Sequence, residues 1–486
     1  MPTKVDRPGA FELSDVILIS YQSFDGAGTP KRLSIRSLVQ EISIYESLDG
    51  KFLSGDMTLL DGTNAIQTLP ITGFERVEFF FRTPGTDKGF DFSVKTGHPM
   101  FVYSLKNRSG VNPRSQIYTL KFVSMEAIRN HQTRISQAFT GQIDQMVTDI
   151  CYNYLKTKKD LMVEDTKSNH KFVMPRLKPT KAIEQLRKNA RSLHYENSGF
   201  LFFENGDGFN FKSYEGLFCK KDGSPRPVKA HYSPKIKNIG EDPVYALQSV
   251  EDFTILQQFD TLNNTANGVY ASRLITHDLY NKTFSTKEFN YAKDYFTLPH
   301  LENDNTQSEF PSKYSMIPES PADPSEDNTN KEGRNNIYTD YTDGVIMVQS
   351  TTANVHNTNL ASGYHAENTL QSRTHALEIL KSLQLTIETP GNTHINAGQV
   401  VNVTVPSYAS EVFEKGEKQY NRFTTGRYLI TDLRHSIDLN AQKHRTILTL
   451  SKETYGTPLV NSLAKPDIDI EDEQIVVELG VNKEYA

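Results

Sequence analysis

The stretch EISIYESLDGKFLSGDMTLLDG, Glu41 to Gly62, decides how the first part of the chain is read. Ile42 and Ile44 alternate with polar neighbours, and Leu48-Asp49-Gly50 is a hairpin signal. Met57 and Leu59 alternate again before Asp61-Gly62. A period of two places successive side chains on opposite faces of a strand, so this is a β-hairpin with one buried face. Farther along, Val77, Phe79 and Phe81 alternate up to Thr83-Pro84-Gly85, and Tyr118, Leu120 and Phe122 form another such run. Short strands at this spacing, with no helical stretch between them, predict a small barrel or sandwich over residues 11–127.

The period changes after Thr140-Gly141. Ile143, Met146, Val147, Ile150, Tyr154 and Leu155 fall on one helical face. A second helix is expected after Pro179, with Thr180 as N-cap and Ile183, Leu186, Ala190 and Leu193 inward. Phe200 and Phe202, then Phe209 and Phe211, flank the turn Asn205-Gly206-Asp207-Gly208 as a hairpin. Residues 128–238 thus read as a mixed α/β unit. Strand patterns resume from Val244 to Phe259, and a helix is expected from about Ala366 to Ser382, with Leu370, Leu377 and Leu380 apolar. The last β region has Leu383, Leu385 and Ile387, a turn at Pro390-Gly391, then Val401, Val403 and Val405, then Tyr428, Ile430, Ile447, Leu448 and Leu450.

The chain has 486 residues, a prior of about three domains. Hydrophobic residues are 37% and charged residues 23%, enough for real cores, which excludes global disorder. The net charge of −6 argues against a protein that coats nucleic acid. That charge is uneven. Residues 151–240 hold 18 Lys and Arg against 9 Asp and Glu, either a solvated surface or a docking surface for an acidic partner. Residues 300–343 hold 3 basic and 10 acidic residues and read as a long, partly disordered excursion. The end of the chain, 457–486, reads as an acidic arm.

Mean hydropathy is −0.53, and aliphatic runs such as Val16 to Ile19 are too short for a spanning helix. Met1 to Leu13 has no signal-peptide pattern, so a cytoplasmically made, soluble chain is expected. Cys151 and Cys219 are too few for a disulfide framework or a zinc site and read as buried thiols.

No residue qualifies as catalytic, cofactor-binding or metal-binding. There is no GxxxxGK[ST] phosphate cradle, no HExxH and no GxSxG elbow. Gly206-Asp207-Gly208 lacks the later glycine of a dinucleotide loop and reads as turn chemistry. His435 and His444 share one β region; a metal pair is imaginable there, but core or surface histidines are the simpler reading. Asp467, Asp469, Glu471, Asp472 and Glu473 lack the glycine of a calcium loop. Four Asn-x-Ser/Thr sequons, Asn107-Arg108-Ser109 among them, carry little weight without a secretory signal.

Two regions carry a more specific pattern. One is Glu41 to Gly62 followed by LPITGFERVEFFFRTPG, Leu69 to Gly85. The other is LQLTIETPGNTHINAGQVVNVTVP, Leu383 to Pro406, followed by GRYLITDLRHSIDLNAQKHRTILTLSKE, Gly426 to Glu453. With YTLKFVSMEAIRN (Tyr118 to Asn130) and FDTLNNTANGVYASRL (Phe259 to Leu274), they resemble the central baseplate hub protein of contractile-tailed, T-even-like phages. More distantly they resemble late-control proteins and type VI secretion spike hubs.

The resemblance implies an α+β, mainly β fold with two small antiparallel β-barrel tube domains and inserted α/β modules. The first barrel would span 11–127 and the inserted α/β domain 128–238. The second barrel would be split between 239–275 and 383–456, around an irregular and helical module at 276–382. It implies a non-enzymatic homotrimer that adapts the sixfold tail tube to the threefold spike and leaves a channel for DNA in transit. Partners would be the central spike below, tube or tube-initiator proteins above, and baseplate wedge proteins around, with no membrane insertion and no cofactor. The place would be the virion tail baseplate, assembled in the bacterial cytoplasm. Open edges would be closed across subunits, and the Phe79-Phe80-Phe81 triplet would give each strand face a ring, for core and for either an interface or a packed insert. The readings from another class are a tail-associated carbohydrate-active or cell-wall-degrading enzyme, and a glycan-binding β protein. The first lacks an acid/base motif, and the second lacks the Trp usual in aromatic platforms.

Overall fold

The structure is a computed structural model. It describes residues 7–86, 88–96, 98–195, 198–234, 247–278, 282–291, 300–301, 342–351, 370–406, 421 and 424–453. The acidic arm 457–486, and the excursion 300–343 apart from its ends, lie outside the described residues.

The first part is strand after strand: β1 Glu12–Leu13, β2 Ile17–Phe24, β3 Pro30–Ser34, β4 Val39–Ser47 and β5 Ser54–Asp61. After a helical turn, α1 Ala65–Thr68, come β6 Arg76–Glu78, β7 Phe80–Arg82, β8 Gly89–Asp91, β9 Met100–Asn112 and β10 Ser115–Ser124. The alternation read from sequence is the observed pleat. Ile42, Ile44, Met57, Leu59, Tyr118, Leu120 and Phe122 all enter one core. The run through the Phe triplet keeps its alternation, with Val77, Phe79 and Phe81 in that same core, but the strand breaks at Phe79. β6 stays in the large sheet while β7 joins β1 and β8 in a small one. Phe79 and Phe81 both turn into the core, and half-buried Phe80 lies under the Arg82 guanidinium.

A helix not foreseen, α2 Met125–Gln132, ends this part. Then follow β11 Ile135–Gly141, α3 Ile143–Asp149, a π-helical segment Ile150–Leu155, β12 Leu161–Val163, β13 His170–Leu177 and α4 Pro179–Arg187. The hairpin β14 Phe200–Asn205 and β15 Gly208–Ser213 leads to α5 Tyr214–Phe218. Two sequence expectations fail at α4. Its N-cap is Lys178, with Pro179 at the first helical position, where the missing N–H costs nothing. Thr180 sits inside the helix, and its N–H and hydroxyl both donate to Asn130 Oδ1 at 2.9 Å. Leu193 lies beyond the last turn and is exposed.

The remainder comprises β16 His231–Pro234, β17 Ser249–Val250, β18 Asp252–Gln257, α6 Thr261–Ala266, β19 Ala271–Asp278, β20 Thr283–Asn290, β21 Ile346–Thr351, α7 Leu370–Ile379, β22 Leu383–Pro390, β23 Val400–Val403, β24 Gly426–Asp438 and β25 Lys443–Lys452. In α7 the buried stripe is Gln371, His375, Ala376 and Ile379, while Leu370 and Leu377 are only half-buried. Polar residues take inward positions there because the backbone of β19 and of the turn before it offers partners. Gln371 Nε2 donates to Ser272 O at 3.0 Å, and His375 Nδ1 lies 2.9 Å from Val269 O.

The protein is mainly β. A 14-stranded sheet runs β17-β16-β23-β24-β4-β5-β10-β9-β6-β2-β3, with β25, β22 and β18 branching from β24. Antiparallel pairing of β24 with β4, His435 opposite Ile44, joins the early and late β regions. One apolar core lies on the β2 to β10 side and a second on the β16 to β25 side. Among the described residues no sheet closes into a barrel, and no helix is long and apolar enough to cross a membrane.

Candidate functional site

The densest buried chemistry lies where three parts of the chain meet: strand β4, the β14–β15 turn and the loop between β22 and β23. Glu46 is the centre. It follows Ile42 and Ile44 on the inward face of β4 and is fully buried. Its Oε1 accepts from Gly206 N at 2.8 Å and its Oε2 from Ala397 N at 2.7 Å. Burial pushes its carboxyl up to about 8; the two N–H donors pull against this, and nearby Asp207 and Glu204 add to it.

The turn is built to reach that carboxyl group. Asp207 N donates to Asn205 Oδ1 at 3.1 Å, an Asx turn. Asn205 Nδ2 donates to Ala397 O at 3.0 Å, and Lys88 pairs with Asp207 at 2.7 Å. Gly208 has φ +132°, and a Cβ there would stand 2.3 Å from Asp160 O, so only glycine fits.

Beside the turn lies a buried ion cluster. Lys159 Nζ pairs with Glu126 of α2 at 3.1 Å and with Glu204 of β14 at 2.5 Å. All three side chains are essentially inaccessible. Glu204 Oε2 also accepts from Ser124 Oγ at 2.8 Å and from Leu53 N at 2.9 Å, which ties the hairpin to the end of the β5/β10 pair where β5 starts and β10 stops. Two carboxylates share one ammonium, and burial holds the Glu204 carboxyl above its usual range despite Lys159. Burial opposes the charge on Lys159, but Glu204 and Glu126 outweigh it and keep the ammonium protonated.

A third contact joins the small sheet to the late β region. Thr83 and Thr393 exchange N–H to hydroxyl bonds at 3.1 Å each way. Phe81 meets the edges of both His435 and His444. These two histidines do come together, but as core residues: His435 Nδ1 lies 3.2 Å from His444 Nε2, in contact with each other and not splayed around an ion. Among the described residues no group of three or more His, Cys, Asp or Glu could hold a metal.

Cys151 and Cys219 are buried free thiols in different cores, each pushed up to about 12 by burial and therefore unreactive. Gly206-Asp207-Gly208 is the hairpin turn that the sequence indicated. Among the described residues of the basic stretch, Lys159 is the buried exception, while Lys156, Lys158, Lys171, Arg176, Lys181, Lys188 and Lys220 are exposed. Asp467 to Glu473 lie outside the described residues. A cleft floored by Val250, Leu385, Ile387, Val403 and Val405 opens beside the second core. Its charged lining is Glu251, tied to Lys443, and Asp252, which does not amount to an acid/base pair facing a substrate position.

Sequence reasoning missed Glu46, Glu126, Lys159 and Glu204. A signal existed for two of them. Glu46 continues the inward series Ile42, Ile44, and Glu204 the series Phe200, Phe202, so each is an acid at a core position of an alternating strand.

No family model matches the chain. Its described fold is similar to solved structures of a tail protein from Neisseria meningitidis MC58 (11% identity, 92% of this chain and 98% of that chain, TM-score 0.47). A 43 kDa tail protein of prophage MuSo2 from Shewanella oneidensis is similar to the same degree (11% identity, 91% and 99%, TM-score 0.47). Among curated proteins, the Probable baseplate hub protein gp334 of Vibrio phage KVP40 is 21% identical over 441 residues, 87% of this chain and 91% of that protein. The resemblance to phage baseplate hub proteins, first read from strand and turn patterns, therefore extends over most of the chain in a curated relative.

Proposed function

We propose that this chain is a structural baseplate hub of a contractile tail and not an enzyme. The observation that carries this reading is the alignment with a baseplate hub protein along nearly the whole of both chains. Such a hub would be a homotrimer, with each chain giving two tube modules to a ring of six. It would stand between the sixfold tube and the threefold spike in the virion baseplate and leave a channel through which DNA passes.

The two modules would lie on either side of the β4–β24 seam, over residues 11–127 and over 239–275 with 383–456, with 128–238 and 276–382 as inserts. Two features support the division. Each side has its own apolar core. On the late side β16, β23, β24, β25, β22 and β18 succeed one another, and β17, one residue before β18, pairs back with β16. The buried joint around Glu46 and Lys159 would keep the insert from shifting against the modules when the tail contracts. Rigidity there follows from satisfied hydrogen bonds in a dry interior.

The test is the mass of the purified chain, alone and with its spike protein. A mass of three chains, or a three-to-three complex with the spike, is the expected result. A monomer in both conditions overturns the reading.

A further inference from the structure

Two surfaces of this chain are exposed and of opposite charge, a basic hairpin with two bare apolar side chains and an acidic corner with three. The first is the β9–β10 hairpin. Every residue from Lys106 to Arg114 is exposed, so among the described residues nothing covers this arm. An isolated two-stranded hairpin is marginal in water, which argues for a surface that receives it. Val111 at its tip and Tyr103 at its base are 57% and 53% exposed. Between Phe92 and Met125 the sequence has five cations, Lys95, Lys106, Arg108, Arg114 and Lys121, and no Asp or Glu.

The second is the corner where β18 runs into α6. Leu256, Phe259 and Leu262 are 56%, 66% and 85% exposed within seven residues. Three large apolar side chains so close together and so bare are a docking mark rather than ordinary surface scatter. From Ala246 to Ser272 the charges are Glu251, which pairs with Lys443, and Asp252 and Asp260, with no Lys or Arg in that stretch. The arm belongs to the early side of the sheet and the corner to the late side.

We propose that the β9–β10 arm of one copy docks on the Leu256–Phe259–Leu262 corner of the next copy, head to tail. The inference rests on the hub reading and specifies its subunit contact. Two unlike surfaces that fit each other on one chain make a heterologous contact, and such contacts close into rings when the rotation allows. The basic rim steers the arm toward the acidic corner and fixes its register, while the apolar centre supplies the dry contact.

The experiment compares the full chain with two variants, R108E/R114E in the arm and L262D at the corner, by native mass and sedimentation. All these side chains are exposed, and thermal melting checks that each variant folds as the parent does. The parent is expected as a closed oligomer and each variant at the single-chain mass of 55.0 kDa. Mixed together, the variants are expected to form a one-to-one pair and nothing larger, because only one intact arm and one intact corner remain. Variants that keep the parent's oligomeric mass overturn this inference while leaving the hub reading standing. The same holds if they keep that mass but lose the spike, since the corner then faces another protein. A mixture that stays single-chain also overturns it. A parent that is monomeric with and without the spike overturns both.

Discussion

His435 Nδ1 and His444 Nε2 lie 3.2 Å apart in a fully buried site, so one ring must donate and the other accept. Neither outer nitrogen, His435 Nε2 or His444 Nδ1, meets a protein hydrogen-bonding group among the described residues. A proton added to either ring would place an imidazolium against Phe81 with no carboxylate beside it among the described residues. Burial depresses both: His444 falls to about 3, and His435, which also faces His444, falls well below its usual value.

Acid should therefore destabilise the fold at these rings. The unfolded chain takes up protons near pH 6.5, and the folded chain refuses them until far lower pH. Stability is thus present above 6.5 and lost as pH falls, by about 1.4 kcal/mol per pH unit for each ring. His375, lowered to about 4 by burial, adds to the same slope. Urea denaturation from pH 7 to pH 4.5 should show the loss, and H435F/H444L should flatten it. An equally steep slope in that variant would place the effect elsewhere.

Gly391 is the backbone side of the same arrangement. A Cβ there would stand 2.0 Å from the His444 ring, and Gly391 N donates to His444 O at 2.9 Å. G391A should therefore lower stability by about 1–3 kcal/mol through overpacking. Shrinking the ring should relieve it, so G391A/H444A should be more stable than the sum of the two single changes. A double-mutant cycle reads this directly, and strict additivity would mean that the two residues do not press on each other.

The strands were legible because each buries one face, and a period of two survives in Ile42/Ile44, Met57/Leu59 and Tyr118/Leu120/Phe122. The π-helical end of the α3 region was legible only as apolar spacing. The buried stripe of α7 was not legible, since Gln371 and His375 are inward for the sake of hydrogen bonds to Ser272 and Val269, which hydropathy does not register. Thr180 resembled a cap because Thr is a good one. What it does depends on Asn130, fifty residues earlier, and no local pattern carries that. The joint was hidden for the same reason. Lys159 meets Glu126 and Glu204 only after three elements have packed together.

Removing the shared cation from that cluster should be costly. K159M leaves Glu126 and Glu204 buried and unpaired, and breaking a buried pair this way costs about 3–5 kcal/mol. The denaturation midpoint should drop sharply. Adding E126Q should recover part of the loss, because one buried charge is then gone. A loss under about 1 kcal/mol in K159M would show that water reaches the cluster and that the joint is not dry.

Glu46 gives the opposite pH sign to the histidines, which allows the two to be separated. Its carboxyl rises from 4.5 to about 8 in the fold, chiefly by burial. The folded chain keeps a proton that the unfolded chain has released. The stability this gives is complete below about pH 4.5, falls as pH rises, and is gone above about 8. In E46Q the amide can accept from Gly206 N or from Ala397 N but must point its NH₂ at the other, so one donor is left facing a donor. At pH 5 the variant should be less stable than the parent by about 1–3 kcal/mol. The gap should then narrow toward pH 8 as the parent loses its advantage and the amide, which does not titrate, stays as it was. A gap that widens with rising pH would mean that the two N–H donors win over burial and that Glu46 sits in the joint as a carboxylate.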